Sequence, residues 1–205
     1  MGGVSKLKLL IGLAIAFGVV VAITILGAGV LVARQDTDSS STMDALERGL
    51  ETGRHAGLLA RIAEGGVNLN AFTTDGCSGG LSSAWAEFSA RFPEFAQAHG
   101  ERPPWEDCCV AHDRQYHGGG ADSDSATDSF SSRKQADLDL MQCVVDTGMS
   151  RADGLRETYG ISESQARVLY VGIAESMYRA VRLGGVPCTE LPWRWGYGWP
   201  LCRSE

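Results

Sequence analysis

Six cysteines constrain the fold of this 205-residue chain more than any other feature, and all of them lie from position 77 onwards. An even number of cysteines in an exported domain is typical of disulfides that form in an oxidising compartment. Cys108 and Cys109 are neighbours, and a bond between them would close a strained ring. Each must therefore bond to a distant cysteine, although the sequence leaves the partners open. A zinc site that combines this pair with His112 and His117 is the alternative, but its spacing matches no common structural zinc pattern.

An uncharged run of 25 residues, Leu9 to Ala33, predicts a transmembrane helix near the N-terminus. At about 1.5 Å per residue, such a helix exceeds the ~30 Å hydrocarbon core of a bilayer. Lys6 and Lys8 precede the run, so the positive-inside rule places the rest of the chain on the exported side of the membrane. The alternative is a signal peptide that is cleaved to release a secreted protein, but the apolar core of such peptides has only about 7–15 residues. Both interpretations place the remaining chain outside the cytoplasm.

The sequence predicts three consecutive parts: a transmembrane signal-anchor over residues 1–34, a polar linker over residues 35–42 and an exported domain over residues 43–205. With 44% hydrophobic and 21% charged residues, the chain is too apolar for a disordered protein and too short for two ordinary domains. Its net charge of −7 and the lack of a basic patch in the sequence argue against a nucleic-acid partner. The partner that the N-terminus predicts is a membrane, and the sequence makes no prediction about the oligomeric state.

The exported domain is predicted to be mainly α-helical, because helical signals recur along it without strand-like alternation. Ser162 and Gln165 form a capping box that predicts the start of the last helix. Residues 73–80 and 121–132 are predicted loops. The Trp-rich tail, residues 187–202, is expected either to bind the lipid–water interface or to pack inside the domain. The predicted helices cover residues 43–63, 83–98 with a break at Pro93, 103–117, 133–145 and 162–183.

One predicted helix, with the sequence WEDCCVAHDRQYH, carries the residues that point to chemistry. Cys108, His112 and Tyr116 follow one another at intervals of four and share one face of the helix. Cys109 and Asp113 share the adjacent face. A histidine and an aspartate on a helix held by two disulfides form a rigid mount for an acid–base group and a hard-metal ligand. The upstream loop DGCSGG contains glycines that let backbone carbonyls turn inward as calcium ligands.

These residues resemble those of the secreted phospholipase A2 family. The string CCVAHDRQY, residues 108–116, is similar to the active-site signature CCxxHDxxY, and DGCSGG is similar to the calcium-binding loop. The resemblance covers residues 73 to 145 and leaves out the predicted anchor, the first helix and the tail. It implies a disulfide-linked helical core preceded here by the transmembrane helix, and a calcium-dependent enzyme that hydrolyses the sn-2 ester of glycerophospholipids. The alternative is a non-catalytic module that uses the same scaffold to bind lipid or a protein.

The resemblance assigns roles to the residues of these two motifs. His112 matches the catalytic base, Asp113 the aspartate that binds calcium, and Tyr116 a tyrosine that supports the histidine. The resemblance implies that calcium is also bound by the backbone carbonyls of Gly76, Ser78 and Gly80.

An aspartate on the next helix is expected to orient the histidine. In the family this aspartate stands six residues before a cysteine, as Asp137 stands before Cys143. Asp139 shares a helical face with that cysteine, so periodicity alone does not choose between the two. The resemblance favours Asp137 as the catalytic partner of the histidine.

The resemblance also implies a disulfide pairing. The expected pairs are Cys77–Cys109, Cys108–Cys143 and Cys188–Cys202. One departure from the family is Gln115, which occupies the position of a cysteine in the common string HDxCY.

Overall fold

A computed structural model describes residues 38–64, 66–77 and 80–202 of the chain. The predicted transmembrane anchor, residues 1–34, and Ser78 of the predicted calcium loop lie outside these residues. Among the residues that are described, no helix is both long enough and apolar enough to cross a bilayer.

The described residues form seven α-helices and contain no β-strand, which confirms the predicted mainly helical class. The chain divides into two units, Met1–Leu46 and Glu47–Glu205. The described part of the first unit is the beginning of the first helix, and the second unit contains the other six helices. The helices are α1 (Asp38–Ala63), α2 (Leu81–Arg91), α3 (Pro93–His99), α4 (Glu106–His117), α5 (Ala126–Ser150), α6 (Ala152–Tyr159) and α7 (Glu163–Gly184).

Two helices begin five or more residues earlier than the sequence predicts. The first, α1, begins at Asp38 instead of position 43, so residues 38–42 of the predicted linker are helical. Helix α5 begins at Ala126, inside a predicted loop, because the Ser125 hydroxyl accepts a hydrogen bond from the backbone N–H of Asp128 at 3.1 Å. Serine and aspartate make the same side-chain-to-backbone bonds in loops and at helix N-termini, so composition alone does not separate the two.

The start of the last helix, α7, confirms the predicted capping box. The Ser162 hydroxyl accepts from the backbone N–H of Gln165 at 3.2 Å, and the Gln165 side chain accepts from the backbone N–H of Ser162 at 2.7 Å. The preceding helix, α6, is not predicted by the sequence. It ends at Gly160, whose φ of 71° is the left-handed conformation that suits glycine at a helix end.

Three disulfides cross-link the second unit, and they follow the pairing that the resemblance implies. The bonds are Cys77–Cys109, Cys108–Cys143 and Cys188–Cys202. No cysteine is free, which excludes the zinc alternative. The adjacent cysteines of α4 bond in two directions, one to the glycine loop and the other to α5. These two bonds hold α4 against both elements that carry the rest of the predicted site.

Helices α5 and α7 pack closely over the larger hydrophobic cluster. Leu140 and Val144 of α5 and Tyr170 of α7 are buried in this cluster. Gly148 permits the close approach, because a Cβ atom at this position would lie 2.1 Å from the side chain of Tyr170. The ring of Trp105, which precedes α4, meets Tyr170 edge-on. The cluster therefore joins α5 and α7 to the start of α4.

The Trp-rich tail packs inside the domain around Trp195, which is 3% exposed. The indole N–H of Trp195 donates to the Ser129 hydroxyl at 3.0 Å, and its ring meets the Tyr116 ring edge-on. Its backbone N–H donates to the carbonyl of Gly185, just after α7, at 2.8 Å. Of the two expectations for the tail, burial is confirmed for Trp195, whereas Trp193 is 36% exposed. The tail thus covers the Tyr116 side of the predicted site.

Candidate active site

Helix α4 carries three of the predicted site residues into the interior. His112, Asp113 and Tyr116 are all less than 9% exposed. Glu106 and Asp107 occupy the first turn of the helix, where negative charge stabilises the positive end of the helix dipole. The two disulfides of α4 restrict the helix further. The side chains of the motif therefore project from a helix whose position is firmly fixed.

His112 is paired with Asp137 of α5. Its Nε2 atom lies 2.8 Å from Oδ1 of Asp137, whose side chain is completely buried. Asp139 is exposed and accepts a hydrogen bond from Gln135 at 2.8 Å instead. An ionised carboxylate only accepts hydrogen bonds, so in the neutral imidazole of His112 the proton lies on Nε2 and Nδ1 offers a lone pair. Helical periodicity alone does not choose between Asp137 and Asp139, but the packing places only Asp137 beside His112.

Tyr116 contacts the same carboxylate oxygen. Its hydroxyl donates to Oδ1 of Asp137 at 2.6 Å, and its ring lies 4.1 Å from the His112 ring, centroid to centroid. Burial and the charge of Asp137 raise the pKa of Tyr116 well above its ordinary value. Tyr116 is therefore a neutral phenol at neutral pH and donates to the carboxylate.

The charges around His112 favour its protonated form. Burial lowers the pKa of His112, but the carboxylates of Asp113 and Asp137 outweigh burial and raise the pKa above its ordinary value. Nδ1 of His112 lies 4.0 Å from Oδ1 of Asp113, so the two groups are near one another without a direct hydrogen bond. An imidazolium that forms at this position is stabilised by two negative groups.

The glycine loop reaches Asp113 through Thr74. The Thr74 hydroxyl donates to Oδ2 of Asp113 at 2.6 Å and accepts from the backbone N–H of Gly76 at 3.0 Å. Gly76 has a φ of 76°, and a Cβ atom there would lie 2.7 Å from the Ser82 hydroxyl. Both observations require glycine at this position. The loop therefore turns sharply beside the Asp113 carboxylate.

The charge of a second carboxylate, Asp75, acts together with that of Asp113 on Tyr197. Burial, together with the charges of Asp113 and Asp75, raises the pKa of Tyr197 to about 12. The Tyr197 hydroxyl donates to the backbone carbonyl of Thr73 at 2.6 Å, so the tail contacts the start of the loop. Two negative groups thus act on one hydroxyl at this end of the molecule.

The groups around Asp113 fit a hard cation such as calcium. The Asp113 carboxylate and the Thr74 hydroxyl are oxygen donors, the class of ligand that calcium binds. Gly76 and Gly80 of the predicted calcium loop both have a positive φ, a backbone conformation that favours glycine. Ser78 lies outside the described residues, and its role stays a prediction. In the part of the chain that the structure describes, there is no cluster of three or more His, Cys, Asp or Glu side chains that could hold a metal ion.

Two buried arginines complete the site, and the sequence predicts neither of them. Nη1 of Arg182 donates to Oδ2 of Asp137 at 2.9 Å, and Nε of Arg133 donates to the Tyr116 hydroxyl at 3.1 Å. Glu51 of α1 accepts hydrogen bonds from both guanidinium groups. An arginine in a helix is usually exposed, and no local pattern marks these two as buried.

A cavity of about 330 Å³ opens beside the loop. Its lining includes Asp75 and Gly76 of the loop, together with Arg102 and Glu106. The guanidinium of Arg102 donates to Oε1 of Glu106 at 2.7 Å. The lining of the cavity therefore offers mainly polar groups and side chains of both charges.

Comparison with known proteins returns no matching family model, no similar curated protein and no similar solved structure. The chemistry of the site therefore has to be inferred from its residues and their geometry.

Proposed function

We propose that this chain is a calcium-dependent hydrolase of the phospholipase A2 type, which cleaves the sn-2 ester of glycerophospholipids. The observation that carries the proposal is the contact between Nε2 of His112 and the buried carboxylate of Asp137, with Asp113 on the other side of the imidazole. This arrangement arises within the string CCVAHDRQY, whose resemblance to the phospholipase A2 signature names the same residues. The disulfide-linked helices around it agree with such a core.

In the proposed reaction His112 acts as the general base. Its Nδ1 takes a proton from a water molecule while the water oxygen attacks the ester carbonyl. Asp137 keeps the proton of the imidazole on Nε2 and stabilises the imidazolium that forms. The proton on Nδ1 then passes to the leaving alkoxide as the ester C–O bond breaks. The products are a free fatty acid and a lysophospholipid, and no serine nucleophile is needed.

Calcium would be held by the Asp113 carboxylate and by the loop carbonyls at Gly76, Ser78 and Gly80. When bound, it supplies positive charge that stabilises the oxyanion and attracts the phosphate of the lipid. Thr74 orients the Asp113 carboxylate through its hydrogen bond to Oδ2, which leaves Oδ1 on the side of the histidine.

We propose a membrane location for the reaction. The run Leu9 to Ala33 would anchor the chain, with the disulfide-bonded domain on the exported side. Three disulfides agree with an oxidising compartment. Cleavage of the run and secretion of the domain is the alternative.

Fatty-acid release from mixed phospholipid micelles by the purified full chain tests the proposal. We expect release in the presence of calcium and none with a chelator. His112→Gln and Asp113→Asn should each abolish release and keep the helical circular dichroism spectrum. Asp107→Asn is the matched control, because Asp107 is an exposed carboxylate on the same helix.

Release that continues in the chelator or in either site variant would contradict the proposed mechanism. A folded wild-type protein that releases no fatty acid would favour the non-catalytic lipid- or protein-binding module.

A further inference from the structure

The second carboxylate oxygen of Asp137 has a partner of its own. While Oδ1 accepts from His112 and Tyr116, Oδ2 accepts from Nη1 of Arg182 at 2.9 Å. The Arg182 side chain is only 5% exposed, and the Asp137 side chain is fully buried. The carboxylate is therefore held on both oxygens, by His112 and Tyr116 on one side and by a guanidinium on the other.

Arg182 is fixed in turn by two glutamates of α1. Its Nη2 lies 3.2 Å from Oε1 of Glu51, and its Nε lies 3.2 Å from Oε1 of Glu47. Burial lowers the pKa of Arg182, but the bonds and charges of Asp137, Glu47 and Glu51 outweigh burial and raise the pKa above its ordinary value. Arg182 therefore stays charged, with each of its three nitrogen atoms held by a carboxylate.

Arg133 ties this arrangement to the end of α7. Its Nη2 donates to the backbone carbonyls of Val181 and Arg182 at 2.9 and 2.7 Å, and its Nε donates to the Tyr116 hydroxyl at 3.1 Å. Its Nη1 donates to Glu51. The two arginines balance the charges of Asp137 and Glu51, as burial of this many ionised groups requires.

We propose that Arg182 is a positioning residue for the hydrolysis, because it fixes the Asp137 carboxylate so that Oδ1 stays directed at Nε2 of His112. The guanidinium holds Oδ2 and stops the carboxylate from rotating, so that Oδ1 stays in place to accept from both His112 and Tyr116. This inference rests on the proposed function. In this arrangement α1 and α7, which lie outside the resemblance, help to position the residues of the site.

The inference is tested by measuring the hydrolysis kinetics of three variants of the full chain. The substrate is phosphatidylcholine in mixed micelles, with saturating calcium. Arg182→Gln should lower kcat about a hundredfold, because a charged hydrogen bond to the carboxylate is lost. Arg182→Lys keeps the charge but not the planar guanidinium that contacts three carboxylates, and it should restore part of the rate, to about tenfold below wild type. KM and the calcium concentration for half-maximal rate should not change in either variant. Arg179→Gln is the matched control, because Arg179 is an exposed arginine one turn earlier on the same helix, and it should leave all three values unchanged.

Melting temperatures of the same proteins separate positioning from a purely structural role. In a variant that melts well above the assay temperature, a kcat within about twofold of wild type would overturn the inference. A loss of kcat that is fully explained by a smaller fraction of folded protein would also overturn the inference. If Arg182→Gln does not fold, the double variant Glu51→Gln/Arg182→Met keeps the buried charges balanced between Arg133 and Asp137, and its kcat is expected to show the same loss. Wild-type protein without hydrolysis would instead overturn the proposed function, whatever the variants do.

Discussion

Two buried histidines in this domain have similar neighbours and opposite electrostatics. His112 hydrogen-bonds directly to Asp137 at 2.8 Å and is 6% exposed. His55 of α1 lies 3.6 Å from Glu51 through its Nε2, which makes no hydrogen bond, and it is completely buried. The pKa of His112 is raised above its ordinary value, whereas the pKa of His55 is lowered. The comparison shows that a nearby carboxylate does not by itself raise the pKa of a histidine.

The surroundings of the two rings explain the difference. Nδ1 of His55 is bonded to the Ser129 hydroxyl at 2.8 Å, and Ser129 is itself fully buried and accepts from Trp195. Burial lowers the pKa of His55, and the nearby charges of Arg133 and Arg182 lower it further, against the opposing effect of Glu51. His112 instead has Asp113 near its Nδ1 and Asp137 on its Nε2. His55 and Ser129 therefore form a fully buried hydrogen-bonded pair, whereas Nδ1 of His112 has no direct hydrogen bond to Asp113.

The largest effect that would sharpen this comparison is expected from Asp137→Asn. We expect kcat to fall about a hundredfold to a thousandfold, because the amide does not stabilise the imidazolium and can favour the wrong tautomer. Asp139→Asn, two residues further along α5 at an exposed position, should leave kcat unchanged. Steady-state hydrolysis of the two variants measures this difference. Equal losses in both, or no loss in Asp137→Asn, would break the distinction drawn between the two aspartates.

A smaller effect, on stability and not on rate, is expected from His55→Ala. The change opens a cavity and removes one of the two partners of the Ser129 hydroxyl, and we expect about 2–4 kcal/mol less free energy of unfolding. Urea unfolding measures this loss, and kcat of the folded variant should stay within about twofold of wild type. A stable variant with a large loss of kcat would show that His55 takes part in the chemistry after all.

The smallest effect is expected in the dependence of stability on pH. Because folding lowers the pKa of His55 below its ordinary 6.5, the unfolded chain binds this proton more readily than the folded chain. The free energy of unfolding should therefore fall as the pH drops below 6.5, by about 1.4 kcal/mol for each unit by which folding lowers the pKa. Urea unfolding of wild type and His55→Gln across this range isolates the effect, because Glu51 and His112 titrate in both proteins. Parallel curves for the two proteins would contradict the lowered pKa.

The parts of the fold and the site that the sequence predicts are those set by residues within one short motif. Within α4, the intervals between Cys108, His112 and Tyr116 fix which side chains share a face, and the motif supplied the disulfide partners. The start of α7 was predictable because a capping box is a local interaction. In each case the interacting residues are close in the chain, or their partner belongs to the same motif.

The rest depends on contacts between distant segments. Arg182 is 45 residues from Asp137 and 131 from Glu51, and nothing near it in the sequence distinguishes it from the exposed Arg179. The same is true of Tyr197, whose contact with Thr73 joins segments 124 residues apart. Only the packing of α1, α5, α7 and the tail decides which charged side chains become buried.

The most direct test of the central claim is the identity of the fatty acid that the wild-type protein releases. The substrate is phosphatidylcholine with a palmitoyl chain at sn-1 and an oleoyl chain at sn-2, and mass spectrometry detects the products. We predict oleate and the palmitoyl lysophospholipid in equal amounts with calcium, and neither product with a chelator. Release of palmitate, or no fatty acid from folded protein with calcium, would contradict the assignment of His112 and Asp137 to this hydrolysis.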